Sequence, residues 1–132
     1  MTFKRGNKYW RISGKPRLEY GGSQCNKIIN EYKRHAKERG VPFYLSREEF
    51  KGLTQKTCFY CGAPPSNIAT DKRGKNYGEF IYGGIDRLDN NKGYELSNCV
   101  PCCRRCNRAK DTMSFGEFLS WISTVYMRHL KP

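Results

Sequence analysis

Apolar residues along this chain recur at helical spacing at both ends and at strand spacing in the middle. Ile28, Ile29, Tyr32 and Ala36 lie on one stripe, with Lys27, Lys33, Arg34, Lys37 and Arg39 around the remainder. This pattern predicts a helix over about 24–39, with Ser23 as N-cap and Gly40 just past its end. Val41-Pro42-Phe43-Tyr44-Leu45 reads as an extended link. Ser46 and Glu49 then have the spacing of a capping box, opening a short helix through Phe50 and Leu53. Residues 63–78 are rich in Pro, Asn, Asp and Gly and read as loop throughout. Glu79–Tyr82 and Gly84–Leu88 are strand-like, and Asp89–Gly93 is a turn. Ser114 caps a last helix running to about Leu130. Its stripe of Phe115, Phe118, Leu119, Ile122, Val125 and Tyr126 is expected to pack in the core. Helices at both ends and short strands between them predict a small α+β fold, without repeats or low-complexity segments.

Charge narrows the partner. Twenty-five Lys and Arg against twelve Asp and Glu leave a net charge of +13 on 132 residues, a field that favours a polyanion, with nucleic acid the default. A merely soluble basic surface, or a ribosome-like role without catalysis, would be equally basic, and composition does not separate them. Residues 1–22 read as an extended basic arm, with Lys4, Arg5, Lys8 and Arg11 for phosphates and interleaved aromatics for stacking or anchoring. An untidy tail without a role is the plainer alternative. The N-terminus lacks the apolar core of a secretory signal. No apolar run approaches the roughly 20 residues of a membrane helix. An intracellular, soluble protein that binds no membrane is expected. The chain divides into the arm (1–22), N-terminal helices (23–56) and a metal-binding domain with a C-terminal helix (57–132).

Seven cysteines cannot all pair in disulfides, and in a reducing compartment Cys-x-x-Cys pairs point to a metal. Cys58/Cys61 and Cys103/Cys106 are separated by 41 residues. Together they would give Zn²⁺ four soft ligands and staple two remote segments. Cys99 and Cys102 form an overlapping pair. The pair at 103 and 106 is preferred because it abuts Asn107-x-x-Lys110. Cys25, Cys99 and Cys102 are then small buried apolar residues.

From Gly84 to Lys110 the chain resembles the HNH (ββα-metal) endonucleases of phage and mobile elements. The motif reads Asp86-Arg87, then Asn98, then Cys103-Arg104-Arg105-Cys106-Asn107-Arg108-Ala109-Lys110, with Cys58–Gly62 similar to the first zinc knuckle. The resemblance spans about residues 45–120. It implies a zinc-stapled ββα-metal core with added N- and C-terminal helices, and cleavage of double-stranded DNA. It also implies that Asp86 and Asn107 hold one Mg²⁺ or Mn²⁺, that Asn98 orients the loop, and that the cysteines bind structural zinc. Hard oxygen donors suit such an ion. Arg104, Arg105, Arg108 and Lys110 place charge where phosphate would bind.

Arg87 stands where the family carries its histidine base, and a guanidinium does not accept a proton near neutrality. Asp89 or, less readily, Tyr94 could act instead. Alternatively, metal-bound hydroxide could attack with Arg87 stabilising the developing charge, or catalysis could be lost. An ion pair from Arg87 to Asp86 or Asp89 is the bland alternative. His35 and His129 fall on predicted helices outside the motif, where a satisfied or solvated state is expected. A DNA endonuclease is therefore expected, nicking as a monomer and cutting both strands as a homodimer. A zinc-stapled module that only binds DNA or RNA is the second reading, and a structural component of a nucleoprotein particle the third.

Overall fold

A computed structural model describes residues 18–132. Lys4, Arg5, Lys8, Arg11 and most of the expected arm lie outside the described residues. The order of elements is α1 (Gly22–Arg39), α2 (Arg47–Thr54), β1 (Asn67–Thr70), β2 (Glu79–Tyr82), β3 (Gly84–Arg87), β4 (Cys99–Cys102), α3 (Arg104–Lys110) and α4 (Phe115–His129). Among the described residues, no helix is long and apolar enough to cross a membrane.

The N-terminus of α1 corrects the sequence reading. Its cap is Gly21, not Ser23, and no side chain caps it. A Cβ at Gly21 would lie 2.3 Å from the Glu79 carbonyl oxygen, and φ is 79°. Only glycine lets this backbone approach β2 so closely. The other end follows the expected rule: Gly40 is left-handed, its N–H donating to Lys37 O and that of Val41 to Ala36 O. The capping box of α2 is complete, with Glu49 N–H donating to Ser46 Oγ (3.1 Å) and Ser46 N–H to Glu49 Oε1 (2.9 Å).

Two separate antiparallel ribbons follow. β1 pairs with β2, Asn67 opposite Tyr82, so a strand occupies part of the stretch read as loop. Its four residues become a strand because β2 supplies a partner, a non-local cause that propensity does not carry. β3 pairs with β4 so that Asp86 faces Val100 and Arg87 faces Cys99.

One cluster joins Cys25, Ile28, Ile29 and Ala36 of α1 to Leu45, Phe50, Leu53, Phe80, Ile85, Tyr94 and Cys99. The sequence division after residue 56 therefore does not separate two cores. Tyr32, partly buried, packs against this cluster, edge-on to Phe50 at 5.3 Å and to Tyr94 at 5.8 Å. The link at 42–44 is stitched to the loop after β3, as Tyr94 N–H donates to Pro42 O (2.9 Å) and Tyr44 N–H to Tyr94 O (2.7 Å). A Cβ at Gly93 would fall 2.3 Å from that Pro42 oxygen.

α4 departs most from expectation. Phe118 is buried, and with Phe115 it meets Phe59 and Tyr60 at centroid distances of 5.2–6.0 Å. The other stripe residues expected in the core, Leu119, Ile122, Val125 and Tyr126, are 42–48% exposed. Periodicity shows which face of a helix is apolar, whereas burial requires another element to reach that face.

Candidate functional site

The site begins with two turns that aim thiols at one another. Cys58 sits in the turn before β1, where Tyr60 N–H donates to its sulfur at 3.4 Å. Cys103 caps α3, and its sulfur accepts from Cys106 N–H, also at 3.4 Å. The Sγ atoms of Cys58, Cys61, Cys103 and Cys106 all lie within 4.8 Å of one another. That of Cys61 is 3.6 Å from that of Cys103. The edge of a tetrahedron built on Zn–S bonds is about 3.8 Å, so the donor set fits zinc in both chemistry and spacing. Burial pushes the Cys58 thiol up. Backbone N–H groups donated by Cys103, Cys61 and Tyr60 outweigh burial and bring it to about 6. Cys106 is pushed up by burial and by its thiol neighbours Cys103 and Cys61. Cys99 and Cys102 are buried and are not among the four clustered thiols, although Cys102 donates to Cys103 O at 3.4 Å; burial raises both thiols. A metal held by these four thiols would pin the knuckle at 58–62 to the start of α3 and so help hold α3 against β3.

Asp86 emerges from the middle of β3 and is 6% exposed. Its carboxylate is held by two residues from opposite sides. Tyr60 donates its hydroxyl to Oδ2 at 2.6 Å, and the Lys110 ammonium lies 3.2 Å from Oδ2 and 3.3 Å from Oδ1. Lys110 also donates to Arg87 O at 3.4 Å. Burial and the bond to Asp86 push the Tyr60 hydroxyl well above the ordinary tyrosine range. Expected on the phosphate surface, Lys110 is instead 0% exposed. A buried carboxylate needs a partner, and the last turn of α3 supplies it. Neither Tyr60 nor this pairing was anticipated. The only sequence signal was the position of Tyr60 between the two knuckle cysteines.

Arg87 makes neither of the ion pairs considered for it. Its Nη1 donates to Lys92 O at 2.7 Å and Asn90 O at 3.0 Å, and its guanidinium lies 5.3 Å from the centroid of the Tyr94 ring. It latches the loop after β3. Asn98 latches the same loop from beneath, accepting from Asp89 N–H (2.9 Å) and donating to Asp89 O (3.1 Å) and Gly93 O (3.0 Å). The Asp89 carboxylate is occupied in the turn, accepting from Asn91 N–H at 2.9 Å. Asp89 is not among the residues that line the cleft described next.

An open cleft of about 890 Å³ runs between α1, the ribbon of β1 and β2, β3 and α3. Asp86 and Arg87 line it from β3, Asn107, Arg104 and Arg108 from α3, and His35 from α1. Arg105 is exposed but not among the lining residues. Tyr94 lines the cleft, although its hydroxyl already accepts from Arg39 at 3.3 Å.

Set beside solved structures, this architecture matches that of PacI, a rare-cutting HNH restriction endonuclease whose structure was described for its mechanism of DNA perturbation. The TM-score is 0.55, at 23% identity over 86% of this chain and 92% of that one. The chain shares that endonuclease's fold. It is a small α+β unit stapled by four cysteines, with helices added on either side. Among curated proteins, an uncharacterised protein of Acanthamoeba polyphaga mimivirus is 34% identical over 122 residues, 92% of this chain. The chain spans about a fifth of that relative's length, at 20%. No family model matches the sequence.

Proposed function

We propose that this chain is a metal-dependent DNA endonuclease that hydrolyses phosphodiester bonds in the cleft between α1, β3 and α3. The observation that carries the reading is the convergence of Asp86 and Asn107 on one cleft rimmed by Arg104 and Arg108. A net charge of +13 and the fold shared with a restriction endonuclease support it. Zn²⁺ in the four-cysteine cluster is structural. Asp86 and Asn107 would hold one Mg²⁺ or Mn²⁺. Asp86 Oδ1, which meets only Lys110, keeps a lone pair, so the donor set fits a hard cation. When bound, such an ion supplies charge stabilisation at phosphorus and at the leaving oxygen.

The chain's own residues do the rest. Arg104 and Arg108 bind the backbone of double-stranded DNA, Arg105 extends that surface, and Asn98 and Arg87 hold the loop that seats Asp86. Since Lys110 already offsets the Asp86 charge, the free protein binds a divalent ion weakly, and DNA phosphate completes the site. A protein acting inside the cell as a monomer would nick; cutting of both strands would mark a homodimer.

Supercoiled plasmid incubated in EDTA, Mg²⁺ or Mn²⁺ tests this. Conversion to open circle with either ion, lost in Asp86→Ala while DNA affinity is kept, is the expected outcome. Undiminished cutting by Asp86→Ala would remove the site assignment. A zinc-stapled module that binds DNA or RNA without cutting is the second reading, favoured by the absence of a histidine after Asp86. It predicts salt-sensitive binding indifferent to divalent ions.

A further inference from the structure

Hydrolysis at this cleft needs a group to take the proton of the attacking water, and the residues nearest the motif are committed elsewhere. Arg87 is latched to two loop carbonyls, and the Asp89 carboxylate is turned into its own loop. Tyr94 accepts from Arg39 under the Arg87 guanidinium, and the Tyr60 hydroxyl is engaged in donating a hydrogen bond to Asp86.

One imidazole reaches the same cleft from a different element. His35 lies on α1, one turn after Tyr32 and one turn before Arg39, so the three share a helix face. Both neighbours are anchored at the site. The Tyr32 hydroxyl accepts from Ile85 N–H, the residue before Asp86, at 3.2 Å, and Arg39 bonds the Tyr94 hydroxyl at 3.3 Å. The helix is therefore fixed on both sides of His35, and its exposed side chain lines the same cleft as Asp86 and Asn107. Glu31 and Arg39 of the same helix, Asp86 and Arg87 of β3, and Arg104, Arg108 and Asp111 beside or on α3 are the charged groups around that space. Among the described residues, no hydrogen bond engages the ring, which leaves a nitrogen free to accept.

We propose that His35 is the proton acceptor of the reaction, an inference that rests on the endonuclease reading. One O–H bond of the attacking water breaks and its proton passes to the imidazole, while the water oxygen bonds to phosphorus. The P–O3′ bond then breaks, its electron pair leaving with the 3′ oxygen, which takes a proton from solvent. Histidine suits this step because its neutral and charged forms interconvert near physiological pH.

The test is plasmid nicking by wild type, His35→Ala, His35→Gln and Asp86→Ala in Mg²⁺, with and without added imidazole, beside duplex binding in EDTA. His35→Ala should nick about 100-fold more slowly, the lower end for loss of an acid–base group. Imidazole should restore part of that rate in His35→Ala but not in His35→Gln, whose side chain fills the space. Duplex binding in EDTA should be retained. Nicking by His35→Ala at the wild-type rate would overturn the proposal, as would a loss that imidazole leaves unrestored. If His35→Ala nicks normally while Asp86→Ala is dead, only the His35 assignment falls. A wild type that never nicks overturns the endonuclease reading and this assignment together.

Discussion

Helices α2 and α4 open with the same device. Ser46 with Glu49 and Ser114 with Glu117 form complete capping boxes, each with bonds of 2.9 and 3.1 Å. Their fates diverge from there. α2 has 8 residues and buries Phe50, Leu53 and Thr54 among α1 and the β3–β4 ribbon. α4 has 15 residues and, among the described residues, buries Phe118 alone. A cap satisfies orphan backbone donors and sets where a helix begins. What the helix then covers depends on which other segments arrive. For α4 these are Phe59 and Tyr60 of the first knuckle, and they reach only its first turn.

The contrast can be broken most severely at the metal clamp. Cys106→Ser should lose the zinc and the folded state with it, because structural zinc binding is folding energy in small domains. A variant with unchanged zinc content and circular dichroism would refute this. Cys25→Ser, in the α1 core, should retain zinc in the same assay.

Lys110→Met comes next, since it strands the Asp86 carboxylate at a buried position. Removing one partner of a buried pair costs about 3–5 kcal/mol, and Asp86→Asn in the same chain should recover part of it in urea melts. Stability unchanged by Lys110→Met would mean that solvent reaches Asp86.

The core comparison itself is Phe50→Ala against Ile122→Ala. Phe50→Ala should cost about 3–5 kcal/mol, and Ile122→Ala no more than about 0.5. Equal losses would show that the α4 stripe is covered in solution. At the smallest scale, Ser46→Ala should lower global stability by about 1 kcal/mol. Ser114→Ala should instead appear as faster amide exchange within α4, with less change in the global melt.

What the sequence made legible were features whose cause is local. The boxes at Ser46 and Ser114 and the left-handed Gly40 depend on residues within a turn. Cys103 and Cys106, preferred over the equally spaced Cys99 and Cys102 for abutting Asn107-x-x-Lys110, are the two that lie beside Cys58 and Cys61. The misses are long-range. Ser23 looks like a cap until the Glu79 carbonyl presses against Gly21. Lys110 reads as a phosphate ligand until Asp86, 24 positions earlier, is seen to claim it. β1 is invisible without β2, and the α4 stripe was assigned to a core that the chain does not bring to it. His35 was set aside for its distance from the motif, yet α1 lies along the very cleft that the motif lines.

The two carbonyls held by Arg87 have a consequence for how such a chain can change over generations. A histidine at this position is too short to span to Asn90 and Lys92, so Arg87→His would give up both bonds and leave that turn to the grip of Asn98. The exchange is therefore not one substitution but several that must be acceptable together. Arginine and the loop it grips act as one unit, so a change to either is felt by the other.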